Sequence, residues 1–121
     1  MSLAVRALRG ATTIERDEPT HLTERVQEMI QTLMVSNDIS ADDIISILFT
    51  ATSDISSSFP ASAARKLGLD DVALMGAQEL DVEAMLPMCI RVLVHTYSPR
   101  SKSELRHVYL HGARVLRADL V

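Results

Sequence analysis

The sequence predicts an α+β or α/β sandwich in which several strands are interspersed with one long and one short helix, and three observations carry that prediction. Apolar residues recur at helical spacing over one long stretch, at Leu22, Val26, Met29, Ile30 and Leu33. Two runs, Ile44 to Thr50 and Cys89 to His95, are short and apolar at nearly every position, as strands covered on both faces are. Glycine, proline and serine separate these segments. Spacing alone does not determine strand order.

The elements follow in order. Leu3 to Gly10 reads as a strand whose period of two puts Val5, Ala7 and Arg9 on one face, so a charged side chain ends an apolar row. Asp17 as a cap and Pro19 in a first turn open the long amphipathic helix, which is expected to end near Asn37. Ser40 to Asp43 resembles a capping sequence for a short turn, and Ile44 to Thr50 follows as a strand central in a sheet. Ser53 to Ser58 is a loop, and Pro60 to Leu67 with Gly68 after it has the start and stop signals of a two-turn helix that carries Arg65. Val72 to Met75 is a short strand, with Gly76 marking a bulge or a close backbone approach and Gln78 to Asp81 leading into a turn. Cys89 to His95 is a stronger strand, and Arg91 within it faces a partly buried environment, where a guanidinium needs an anionic or polar partner. Ser98 to Ser103 is turn-like, Arg106 to Leu110 makes a last strand, and Gly112 separates it from a final segment, Ala113 to Leu116.

Composition bounds the rest. At 121 residues, with 47% apolar and 23% charged, the chain fits one domain over residues 1–121 with one core. Clefts in chains this short are often completed by a neighbouring subunit, so oligomerisation is expected. A net charge of −4 and four aromatic residues argue against nucleic acid as a partner. Ten arginines against two lysines favour planar, bidentate recognition of carboxylates. The single Cys89 rules out an intrachain disulfide, and the first residues show no secretory pattern, so a cytoplasmic location is expected. Arg91 interrupts the longest apolar region, Met85 to Val94, so no membrane span is expected.

Candidates for chemistry are few. His107 and His111 lie four residues apart, which along an extended strand is roughly 13 Å at about 3.3 Å per residue, and no Cys, His or carboxylate group has ligand-like spacing. No metal is expected. Cys89 reads as a small hydrophobe in a strand rather than a nucleophile. Gly10, Gly68, Gly76 and Gly112 are too scattered for a dinucleotide fingerprint or a phosphate loop, so no cofactor is expected. There remain Arg9, Arg65, Arg91, Glu79 and Tyr109, and most have a structural alternative: a surface ion pair for Arg9, a solvated helix face for Arg65, a turn cap for Glu79, and core packing for Tyr109.

These residues stand in ordered blocks from Arg9 to Leu120. The blocks are Arg9-Gly10-Ala11-Thr12-Thr13 with Glu15-Arg16-Asp17, Ser53-Asp54 with Phe59-Pro60-Ala61, and Gln78-Glu79-Leu80-Asp81-Val82. Cys89-Ile90-Arg91-Val92, Arg106-His107-Val108-Tyr109-Leu110, and Val115-Leu116-Arg117 with Asp119-Leu120 complete the series. Together they resemble the monofunctional, trimeric chorismate mutases of the Bacillus type. The resemblance implies an α+β fold, a mixed β-sheet with helices on the outside, whose homotrimer forms a pseudo-αβ barrel with clefts between neighbours. It implies a cofactor-free enzyme of aromatic amino-acid biosynthesis that rearranges chorismate to prephenate. It also assigns roles: Arg91 beside the breaking ether oxygen and one carboxylate, Arg9 on a carboxylate, Tyr109 as a further donor, and Glu79 accepting from the ring hydroxyl. Arg65 and Phe59 match positions contributed by the adjacent subunit, Leu74 and Leu116 match apolar walls, and Gly76 offers a backbone N–H. Arg117 lies near a C-terminal segment that in relatives helps cover the cleft, and a lid from a longer tail is expected to be curtailed here. Two positions depart from the family pattern, which has cysteine where Gly76 stands and lysine where Ser62 stands. Two other readings are a trimer that hydrolyses reactive imines or enamines and a non-catalytic carboxylate-binding trimer.

Overall fold

The computed structural model describes residues 3–120, with the side chains of residues 117–120 outside the description. Five strands form one mixed sheet: β1 (Ala4–Thr13), β2 (Ile44–Ala51), β3 (Ala73–Gln78), β4 (Cys89–Ser98) and β5 (Val108–Tyr109), in the order β3-β2-β4-β1-β5. β4 runs antiparallel to β1 and β2 on either side of it, while β3 pairs parallel with β2 and β5 parallel with β1. Parallel pairing needs a crossover, which α2 (Pro60–Lys66) supplies between β2 and β3, while α1 (Pro19–Asn37) carries the chain from β1 past the position of β4 to β2.

The long helix forms as its spacing requires, with Leu22, Val26, Met29, Ile30 and Leu33 buried along one side. Asp38 ends it in the left-handed conformation, φ 53°, with its N–H returned to the carbonyls of Met34 and Val35. Both helices cover the same face of the sheet, where Leu8, Ile47, Phe49, Ile90, Val92 and Val94 complete the core. Ala61, Ala63 and Ala64 let α2 pack closely, and the Gln27 side chain donates to the Ala63 carbonyl at 3.2 Å. Gly10 is required where α1 crosses β1: a Cβ there would stand 2.8 Å from a Leu33 methyl and 2.9 Å from one of Val92.

Several expectations change in detail. Asp17 does not cap α1; its carboxylate accepts from the N–H groups of Ser56 at 2.9 Å and Ser57 at 3.1 Å, tying down the loop before α2. Glu18 occupies the cap position without a side-chain bond. β2 and β4 are covered on one face only, so Arg91 is exposed on the uncovered side rather than partly buried. Gly76 marks neither a bulge nor a close approach: it pairs in register with Phe49, whose carbonyl oxygen lies 4.0 Å from a Cβ position there. The last strand contracts to Val108–Tyr109, and 3₁₀ turns run from His111 to Leu120. The capping box of Ser40 and Asp43 forms as its sequence suggests, around a 3₁₀ turn at Ala41–Asp43. Cys89 is fully buried at the start of β4, and burial raises its thiol above the usual value. Among the described residues no helix is long and apolar enough to cross a membrane.

Candidate active site

The sheet's uncovered face carries the candidate chemistry, because side chains paired across strands share a face. Cross-strand register sets Ala77, Thr50, Arg91, Ala11 and Tyr109 in one row, and Met75, Leu48, Leu93 and Arg9 in the next. Two guanidinium groups and a phenol thus come together from residues 9, 91 and 109 by strand pairing alone. Around them lies a half-open cavity of about 330 Å³ lined by Arg9, Leu48, Thr50, Arg91, Leu93, Tyr109 and Leu116, among others. The 3₁₀ segment places Leu116 as an apolar wall against the cations.

Each polar group is held from behind. Glu79 follows β3, where its N–H donates to the Ala51 carbonyl at 2.9 Å and extends the pairing by one residue. Its carboxylate accepts a hydrogen bond from the Thr50 hydroxyl, and the same oxygen faces Nε of Arg91 at 3.6 Å. Arg9 donates its backbone N–H to Nδ1 of His107 at 3.0 Å. Burial, with the nearby Arg9 charge, pushes the His107 imidazole below the ordinary histidine value, which suits a ring that accepts at Nδ1. Tyr109 is anchored through its strand. The Asn37 amide at the end of α1 donates to the Arg106 carbonyl at 2.9 Å and accepts its N–H at 2.8 Å, and Leu110 donates to the Ala11 carbonyl at 3.0 Å.

Other residues singled out from the sequence lie elsewhere. Phe59, 79% exposed, and Gly76 border a second hollow of about 670 Å³ at the ends of β2 and β3, formed with the loop that Asp17 secures and sharing Thr50 with the first. Ser57 and Ser56 hold the Asp17 carboxyl below its usual value. Arg65 projects from α2 and is exposed. Leu74 pairs with Ile47 and packs against the core on the helix side, so the single chain does not bring it to the cavity. The Arg117 side chain falls outside the described residues. Thr50, Leu48 and Leu93 were not singled out from the sequence. Their signal was available in the period of two, which puts Leu48 with Thr50 and Leu93 with Arg91 on one face.

The arrangement offers a small anion two fixed positive charges, a phenol donor and a carboxylate acceptor over an apolar floor. Among the described residues, no three His, Cys, Asp or Glu side chains gather to hold a metal ion. The sequence matches the family described as chorismate mutase type I over residues 5–120. It is 39% identical over 117 residues to chorismate mutase AroH of Thermus thermophilus, covering 96% of each chain. To chorismate mutase AroH of Bacillus subtilis (strain 168) it is 35% identical over 119 residues, covering 98% of this chain and 94% of the relative. A solved chorismate mutase from Clostridium thermocellum is similar with a TM-score of 0.89 and 41% identity, covering 91% of this chain and 98% of that one.

Proposed function

The chain belongs to the type I chorismate mutases, an isomerase family, and from that premise we propose how its residues carry out the rearrangement of chorismate to prephenate. The observation that carries the reading is the cavity on which Arg9, Arg91 and Tyr109 converge, with a Glu79 carboxylate oxygen 3.6 Å from Nε of Arg91. Chorismate is a flexible dianion, and its Claisen-type rearrangement breaks an ether C–O bond while a C–C bond forms within the same molecule. No proton need be transferred and no nucleophile is required. The enzyme must hold the compact conformer that brings the reacting carbons together, and must stabilise charge that builds on the ether oxygen.

In this reading Arg91 stands beside the ether oxygen and one carboxylate, where its charge favours the transition state over bound substrate. Arg9 grips a carboxylate and Tyr109 adds a hydrogen bond, while Glu79 accepts from the ring hydroxyl. Leu116 supplies an apolar wall. Phe59 and Arg65, absent from the lining of this chain's own cavity, act in a neighbour's cleft, and Gly76, Leu74 and Arg117 complete the substrate-binding set across the interface. A homotrimer accounts for two features together. The cavity is half open and near the lower end of the roughly 300–1,000 Å³ usual for small-molecule sites, and the sheet face around it exposes Val5, Met75 and Tyr97. Residues 1–121 act as one cytoplasmic domain, a role that asks for no membrane, nucleic acid or cofactor.

The test is consumption of purified chorismate with prephenate identified as product, comparing the native protein with Arg91→Ala. Removal of a cation aimed at developing charge should lower kcat by about a thousandfold, with melting temperature and oligomeric mass unchanged. Native turnover by a folded Arg91→Ala protein would remove Arg91 from the mechanism.

A further inference from the structure

We propose that Thr50 is a positioning residue that holds the Glu79 carboxylate off Arg91, so that the guanidinium keeps its charge for the substrate; this rests on the roles given to Arg91 and Glu79 above. Thr50 is well placed to do so. It lies on β2, which is paired on both sides, and stands directly opposite Arg91 in register. Its branched side chain has restricted rotamers, and its hydroxyl donates to the same carboxylate oxygen that faces Arg91.

The separation between that oxygen and Nε of Arg91 is 3.6 Å. A closed, charge-assisted arginine–carboxylate contact is about 2.7–2.9 Å and commonly bidentate. With the Thr50 bond in place the pair stays apart. Without it, nothing on this row competes for the Glu79 oxygen, and the carboxylate is drawn onto the guanidinium. A bidentate pair would spend two of the guanidinium's donors and offset the charge that the breaking ether bond needs. The bond also leaves the second carboxylate oxygen of Glu79 for a ligand hydroxyl.

Thr50→Val preserves shape and strand propensity while deleting the hydroxyl, and Thr50→Ser restores it without the methyl. For Thr50→Val, prephenate formation should show kcat about tenfold lower, KM raised by a smaller factor and the melting temperature unchanged, because closure takes charge from the transition state as well as donors from the bound carboxylate. Thr50→Ser should recover most of the loss. Adding Thr50→Val to Glu79→Gln, which has no charge to close onto Arg91, should cost little beyond Glu79→Gln alone. Native kcat in Thr50→Val, equal impairment in Thr50→Ser, or fully additive losses in the double variant would each overturn the proposal. Arg91→Ala is the control. If it is inactive while Thr50→Val is native, the Thr50 role alone fails; if it is fully active, the site reading and the Thr50 role fall together.

Discussion

A hydrogen bond that never touches the ligand sets the state of Arg9's surroundings. His107 accepts the Arg9 N–H through Nδ1, and its partly buried ring prefers to be neutral. The folded protein therefore binds that proton less readily than the unfolded chain, whose histidine titrates near 6.5. The associated stability is present above pH 6.5, falls as pH drops through that value, and is fully lost below the folded-state value. Melting temperature should consequently decline from pH 7.5 to 5.5, and His107→Asn should flatten that slope relative to the native protein; identical slopes would remove His107 as the cause. Residue identities were the more legible part of the site. Arginine, glutamate and tyrosine stand out as candidates because anion chemistry needs them, whereas Thr50 does not, since a threonine in a strand is common and only its register with Arg91 on the neighbouring strand sets it apart.

Elements matter here through the ends that join them. β5 is two residues long and contributes Tyr109, so its position depends on more than its own pairing with β1. Asn37, 2% exposed at the last position of α1, grips both backbone groups of Arg106 and sets where β5 begins. Asn37→Ala would leave that N–H and carbonyl without their partner at a partly buried site. We expect a loss of about 1–3 kcal/mol in denaturant unfolding, together with a raised KM as Tyr109 shifts; unchanged stability would show that the strand is held by other means. α1 was readable because one apolar periodicity runs from Leu22 to Leu33, through most of a 19-residue helix, and its end falls at Asn37, with Asp38 as the left-handed cap. The strands were harder. A short apolar run does not reveal whether one face or two are covered, which is why β2 and β4 read as doubly buried when helices cover one side only. Asp17 misled for a related reason: an acidic residue before a helix signals a cap, but two loop amides forty residues on, at Ser56 and Ser57, offer it the same kind of bond.

At the scale of the molecule, one asymmetry dominates: helices shield one face of the sheet, and the other presents Val5, Leu48, Met75, Leu93 and Tyr97 beside the two cations. Association through that face would cover the apolar rows and close the cavity in one step. For the homotrimer proposed above, light scattering should give a mass three times that of the 13.3 kDa chain, and a species of one chain mass turning over chorismate at the full rate would sink the shared-cleft reading. Strand order was beyond the sequence, because the insertion of β4 between β1 and β2 depends on pairing that local pattern does not encode. The same insertion shapes the fate of the chain's only sulfhydryl. Cys89 opens the central strand with its sulfur sealed and its ionisation suppressed, so peroxide or an alkylating agent can reach it only when β4 parts from its neighbours. The pace at which the sulfur is consumed thus keeps time for the opening of the sheet that carries Arg91, two residues along the same strand.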